Sequence, residues 1–278
     1  MSKQIPISFE FFPTKTDAGA EKLITVHKEL QLLNPEFFSV TYGAGGSTRE
    51  RTLSTLNDFN GKGTPVAPHL SCIGDSKERI AELLDLHKSQ GIDRIVALRG
   101  DLPSGQVGLG ELPYAQDLVR FIREHSGDHF HIEVAAYPEM HPQADSFDQD
   151  IQRFCEKANA GANAALTQFF FNPDAYFYFV DRIQKEGVNI PVAPGIMPIT
   201  NASNLIRFAD GTGAEVPRWI RKQLATYGDD TASIKAFGHE VIVKLCERLI
   251  AGGAPSLHFY TMNTTDPTRQ LVQDLGLA

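Results

Sequence analysis

Eight short apolar runs punctuate this chain, and most of them stop at a polar or ionisable residue. They cover residues 5–12, 37–42, 66–71, 94–98, 132–137, 165–171, 191–196 and 257–261. Amphipathic stretches with helical spacing lie between them. Strand-like and helix-like segments in alternation imply a parallel sheet covered by helices. Eight such units are the number that closes into a (β/α)₈ TIM barrel, whose functional residues sit at the C-terminal ends of the strands. Read in order, those ends offer Glu10, Thr41, His69, Arg99 with Asp101, Tyr137 with Glu139, and Gln168.

The 278 residues suit one barrel, which typically runs to ~250, and no break in composition marks a second domain. Residues 1–278 therefore read as one catalytic α/β barrel domain. The net charge of −8 argues against a nucleic-acid or acidic-membrane partner, since either would require a basic footprint. No apolar stretch approaches the ~20 residues that a membrane span needs. The N-terminal MSKQIPISFEFFP holds no long apolar segment of the kind a signal peptide carries. Cys72, Cys155 and Cys246 are dispersed without metal spacing and read as buried thiols in a reducing compartment. These features point to the cytoplasm.

The connecting helices can be read by period. Leu23, Val26, Leu30 and Leu33 share a face in the first. Ile80, Leu83, Leu84 and His87 do so in the third, Phe147, Ile151, Phe154, Cys155 and Ala158 in the fifth, and Tyr176, Phe179, Val180 and Ile183 in the sixth. Ser47 and Asp75 suit N-caps; Gly91, Gly161 and Gly187 suit C-terminal caps. The seventh unit is too long for one helix, and its spacing predicts extra helices near 202–210 and 217–226 before a main one near 231–251. The glycine-rich stretch 103–110 reads as a mobile loop over the rim.

Several residues are chemically suggestive. In SFEFFP, strand alternation turns Ser8, Glu10 and Phe12 one way and Phe9 and Phe11 the other. A Glu10 carboxyl among aromatic neighbours is expected to have a raised pKa and to serve as a proton donor; the bland alternative is an ion pair inside the barrel. Arg99 in IVALRGDLP can bind an anion or pair with Asp101, and Gly100 allows close backbone approach. Tyr42 opens a glycine-rich turn, a weak phosphate signal. His69, His141 and His258 lie near strand ends, but no HxH or HExxH accompanies them, so a metal is the lesser reading. Gln168 can bind an amide-bearing ring such as a pterin, flavin or nicotinamide. Phe169 and Phe171 read as packing beneath the helices, and Lys157 with Arg153 and Asp150 as a solvated face.

Taken together, SFEFFP, FFSVTYGAGGSTRERT, PHLSC, IVALRGDLP, VAAYPEMHP, AGANAALTQFFF, PGIMPI and HFYTMN closely resemble the bacterial-type methylenetetrahydrofolate reductases, in order and over nearly the whole chain. The resemblance implies FAD at the C-terminal face of the barrel. Its pocket would comprise Thr41, Tyr42, Ala44, His69, Arg99, Gly100, Asp101, Tyr114, Ala115, Tyr137, His141, Ala144, Asp150 and Lys157. It implies that NADH or NADPH reduces the flavin and leaves, and that the folate then binds in the same place and accepts the hydride. Glu10 and Asp101 match the catalytic residues: Glu10 as general acid toward folate N10, Asp101 as the anion beside flavin and pterin. Thr41, Gln168 and Phe208 join them in substrate binding. The product would supply methyl groups for methionine synthesis.

The regulatory domain of eukaryotic relatives has no counterpart in this length, and a homo-oligomer is expected. Two departures stand out. Arg153 and Glu156 fall where some relatives have Asn and Arg near the FAD phosphates. Thr264 stands where some have an Arg for the folate tail, with Arg269 a possible substitute. The rival readings are a metal-dependent lyase or hydrolase barrel, another flavin barrel such as proline dehydrogenase, and a non-catalytic folate-binding barrel.

Overall fold

The computed structural model describes residues 5–42, 49–101 and 109–278. Its strands are β1 Ile7–Phe11, β2 Phe37–Val40, β3 Val66–Ser71, β4 Arg94–Leu98, β5 His131–Ala136, β6 Ala164–Thr167, β7 Val192–Ala193, β8 Gly195–Ile196 and β9 Leu257–Tyr260. All pair in parallel, in the order β7-β6-β5-β4-β3-β2-β1-β9-β8. β7 and β8 are one seventh strand broken at Pro194, which has no N–H to give a ladder. β7 pairs with β6 and β8 with β9, so the wall closes through that break as an eight-strand barrel. Gly195 N–H turns instead to Thr167 Oγ1 at 2.8 Å. A Cβ on Gly195 would lie 2.2 Å from Thr167 O and 2.7 Å from the Tyr260 ring, so the break requires glycine.

The helices among the described residues are α1 Asp17–Gln31, α2 Arg49–Phe59, α3 Lys77–Ser89, α4 Ala115–Ser126, α5 Phe147–Asn159, α6 Pro173–Lys185, α7 Ala202–Thr212, α8 Arg218–Tyr227, α9 Thr231–Ala251 and α10 Thr268–Asp274. The expected apolar faces are the buried ones. Leu23, Val26 and Leu30 cover the outside of the sheet, as do Ile80, Leu83 and Leu84, and Ile151 and Phe154. The long seventh unit holds α7, α8 and α9 within a residue or two of their expected bounds. Two details differ. Ser76, not Asp75, caps α3, because its hydroxyl is the one that reaches Arg79 N–H, at 3.3 Å. The sixth run overshoots its strand: β6 ends at Thr167, and the three phenylalanines that follow leave the ladder. The Ser47 cap, the Ala44 contact and most of the 103–110 loop lie outside the described residues.

Alternation sorts the side chains as expected. Phe9 and Phe11 are fully buried under the helices, Phe11 edge-on to Phe59. Phe37, Ala67, Val96, Leu166 and Ala193 fill the barrel interior as a separate apolar layer. At the N-terminal end, Arg94 donates to Glu133 at 2.8 Å and to Glu36 at 2.7 Å, and its guanidinium lies 4.4 Å from the Phe37 ring centre. This charged plug stops the bottom of the barrel and leaves only the top open.

Candidate active site

A cavity of about 890 Å³ opens at the C-terminal ends of the strands. Glu10, Thr41, Tyr42, His69, Gly100, Asp101, Tyr137, Gln168 and Phe208, expected from the sequence, all line it. Phe12, Ile73, Phe169, Met197, Thr212, Tyr260 and Met262 complete the wall.

Glu10 stands on β1 with two imidazoles facing it. Its Oε2 is 3.3 Å from His69 Nε2 on β3 and 3.6 Å from His258 Nε2 on β9. His258 is wholly buried, and its other ring nitrogen hydrogen-bonds Ser8 Oγ at 2.7 Å. The parallel register places Ser8 opposite His258, so β1 and β9 bring the cluster together. The Glu10 side chain keeps 18% of its surface exposed, enough to meet a ligand. Its acidity is the reverse of the sequence expectation. Burial does push the pKa up, but the facing His258 and His69 outweigh burial and hold the carboxyl down to about 2. The aromatic neighbours Phe9 and Phe11 that suggested a raised value point away from it. His258 was the missed partner; its alternation with Phe259 and its register to Ser8 were the available signal.

Opposite this cluster, Gly100 ends β4 at φ 85°, and a Cβ there would fall 1.8 Å from Ser71 Oγ. Ser71 Oγ donates to Arg99 O at 2.8 Å, so the glycine is required first by this crossing of β3 and β4. The turn exposes Asp101 at the cavity edge. Arg99 does not pair with Asp101; its guanidinium donates to Gln143 Oε1 at 2.7 Å and to Gly100 O. Thr41 Oγ1 is buried without a hydrogen-bond partner among the described residues.

A shelf built on β5 and α5 continues from the cavity. Tyr137 and His141 meet edge to face at 4.4 Å. Asp150 accepts from His141 N–H at 2.9 Å, and Ala144 N–H closes the turn on His141 O. Burial raises the Tyr137 pKa, and Asp101 and Asp150 add to it; burial lowers that of His141. Lys157 is not on a solvated face. Its Nζ turns inward and donates to Ala135 O at 2.5 Å, and burial lowers its pKa to about 8 against the pull of Asp150. Tyr114 and Ala115, at the start of α4, sit beyond the cavity wall, where Tyr114 is half exposed.

Gln168 follows β6, and its side-chain oxygen accepts Phe169 N–H at 3.0 Å, leaving the amide donors free. Phe169 lines the cavity, which corrects the expectation of packing beneath the helices; Phe170 takes that role, stacked 5.8 Å from Tyr176. On the far rim Phe208 and Thr212, one turn apart on α7, face inward. The suggested tail cation Arg269 is already neutralised: it pairs with Asp266 at 2.7 Å and lies 3.9 Å from Glu29. Thr264 spends its hydroxyl on Thr261 O at 3.0 Å. Among the described residues no group of three or more His, Cys, Asp or Glu is placed to hold a metal ion.

Fold and cavity define a (β/α)₈-barrel protein with a ligand-sized, acid-bearing pocket at the top of its strands. A family model for methylenetetrahydrofolate reductase matches residues 1–276, and the chain belongs to that family. The 5,10-methylenetetrahydrofolate reductase of Escherichia coli is 38% identical over 275 residues, 99% of this chain and 92% of that one. Methylenetetrahydrofolate reductase (NADH) 1 of Arabidopsis thaliana is 35% identical over 288 residues, 99% of this chain and 49% of that one. A solved protein from Clostridium thermocellum, which binds two copies of 5-methyl-5,6,7,8-tetrahydrofolic acid, shares the fold at a TM-score of 0.65 and 14% identity, over 93% and 89% of the two chains.

Proposed function

We propose that this protein reduces 5,10-methylenetetrahydrofolate to 5-methyltetrahydrofolate, using FAD and electrons from NADH or NADPH, in the cytoplasm and in support of methionine synthesis. The observation that carries the reading is one cavity in which the Glu10–His69–His258 cluster, Asp101 and Gln168 converge below Phe208.

The residues present fit FAD. Arg99 and Lys157 are cations whose hydrogen-bond partners are neutral, as a pyrophosphate requires. Tyr137 and His141 give an aromatic shelf, and the partnerless Thr41 hydroxyl faces the cavity. Thr41, Tyr42, His69, Arg99, Gly100, Asp101, Tyr137, His141, Ala144, Asp150 and Lys157 would hold it, with Tyr114 and Ala115 at its outer end. Bound FAD supplies two-electron hydride chemistry, with nicotinamide and folate using the same cavity in turn.

The protein's own task is proton and charge management. Opening the five-membered ring of the substrate needs a proton on folate N10. Without a ligand the Glu10 carboxyl is ionised, so the cluster stores its proton on an imidazole. A pterin ring filling the cavity strips water from Glu10 and adds to the burial that already opposes ionisation, moving the proton toward the carboxyl. Asp101 remains an anion at the cavity edge, placed to stabilise the cationic iminium that ring opening leaves and to accept from the pterin amino group. Gln168 donates to whichever ring is present, and Phe208 stacks on the aryl group.

Anaerobic spectroscopy tests the reading. The purified protein should be yellow, bleach with NADH or NADPH, and regain colour with methylenetetrahydrofolate while methyltetrahydrofolate forms. A reduced protein that the folate leaves bleached would overturn it.

A further inference from the structure

We propose that Arg207 and the cleft between α7 and α8 bind the anionic glutamate tail of the folate; this deepens the reading above and rests on it. A pterin–aminobenzoyl substrate whose aryl ring reaches Phe208 must place its first carboxylate just beyond that ring. The charge needs a cation at the mouth, and neither Thr264 nor Arg269 offers one.

Arg207 does. It precedes Phe208 on α7, and its guanidinium folds back so that Cζ lies 5.2 Å from the Phe208 ring centre. Nη2 donates to Asn204 Oδ1 at 3.2 Å, and Asn204 sits one turn before Phe208 on the same face. Both partners are neutral. Among the described residues no carboxylate lies within ion-pair distance of Arg207, although its side chain is exposed. An aromatic ring and an amide thus pre-orient an uncompensated guanidinium at the cavity mouth.

Beyond it the surface opens into a cleft of about 700 Å³ between α7 and α8, lined by Arg207, Ser203, Ile206, Arg221 and Asp210. Phe208 lines the main cavity and Arg207 the cleft, so a single residue step joins the two. Arg221 gives its Nε to Val216 O at 2.9 Å and keeps its terminal nitrogens for a ligand. Asp210 opposes binding in the same cleft. The assignment is therefore to Arg207 for the first carboxylate and to Arg221 for a later one on a γ-linked chain.

Three substrates test this with the full-length holoenzyme: the methylene form of tetrahydropteroate, which has no glutamate, and the mono- and triglutamates. Arg207→Gln should raise KM for the monoglutamate about fivefold, the scale of an exposed ion pair. Its kcat, its dye-coupled NADH oxidation and its KM for the pteroate form should not change, and Arg207→Lys should restore part of the loss. Arg221→Gln should raise KM for the triglutamate alone. An unchanged monoglutamate KM, or an equal rise with the pteroate form, would overturn the proposal. Wild-type protein that turns over no folate at all sinks the underlying reading first, before any variant is compared.

Discussion

His258 presents its Nε2 to Glu10 Oε2 at 3.6 Å from the neighbouring strand, with Ser8 fixing the opposite side of the imidazole. The relationship makes the acid part of a proton store instead of an isolated carboxyl. Glu10→Gln removes the transferable proton while keeping size and polarity. Folate reduction should fall by about 10²–10⁴-fold, the usual worth of a general acid. Oxidation of the nicotinamide by an artificial acceptor should persist, because that half-reaction needs no proton from Glu10. Stopped-flow measurement of the two half-reactions separates these outcomes, and unchanged folate turnover would end the assignment.

The same cluster ties stability to acid pH. The pKa of Glu10 drops from its ordinary 4.5 to about 2 on folding. A depressed carboxyl stabilises the fold above its unfolded pKa, and that contribution disappears as pH falls through the folded value. The stability gap between the wild type and Glu10→Gln should therefore be constant above about pH 4.5 and change progressively toward pH 2. Urea unfolding across that range checks it; a gap that changes only above pH 6 contradicts the account.

What the sequence made legible, and what it hid, divides along physical lines. Period-2 and period-3.6 patterns are local, so the barrel, the split of Phe9 from Glu10 and the extra helices α7 and α8 were all readable. Properties set by partners distant in the chain were not. The acidity of Glu10 depends on His258, 248 positions away, and the inward turn of Lys157 depends on Ala135 O across the β5–α5 packing. Likewise Arg269 looked available until Glu29 and Asp266 were seen to occupy it. Phe169 was misjudged because β6 ends two residues earlier, which resets the alternation.

Asp101 sits exposed at the cavity edge, with Arg99 turned away to Gln143. Its charge is therefore free to act on a ligand. Asp101→Asn should raise KM for the folate by about tenfold, within the ~1.5–3 kcal/mol range of hydrogen bonds to charged groups. The reduction potential of bound flavin should rise as the nearby anion is lost. Steady-state kinetics and a dye-equilibrated potential measurement decide the matter; a lowered potential would contradict the electrostatic role.

At the closed end of the barrel, Glu133 is almost fully buried and depends on Arg94 for its counter-charge. Arg94→Ala leaves that carboxylate without its ion pair. Breaking such a pair typically costs about 3–5 kcal/mol. Because the plug lies at the opposite end from the cavity, kcat and KM should hold at temperatures where the variant stays folded. Thermal and urea unfolding would show the loss. A variant as stable as the wild type would mean that His131, 3.3 Å from Glu133, compensates.

Glu139 joins the two sides of the cavity mouth. Its Oε2 accepts Glu215 N–H at 2.8 Å, linking the turn that carries Tyr137 and His141 to the segment after Phe208 and Thr212. Gly213 packs on Pro142 beside this link, where a Cβ would come within 3.3 Å. Burial raises the Glu139 pKa to about 7; the Glu215 N–H works against that rise, and the Glu215 carboxylate adds to it. A carboxyl raised on folding costs stability as pH climbs from its ordinary 4.5 through the folded value, and the full cost is present above about 7. Glu139→Gln keeps an acceptor for Glu215 N–H and removes the ionisation. Relative to the wild type it should gain stability progressively between about pH 4.5 and 7, while retaining folate turnover. Glu139→Ala loses the acceptor as well and should raise KM at every pH, since the two loops then separate. Denaturation and kinetics of both variants over pH 5–8 check the scheme, and a Gln variant whose stability tracks the wild type across that range would refute it.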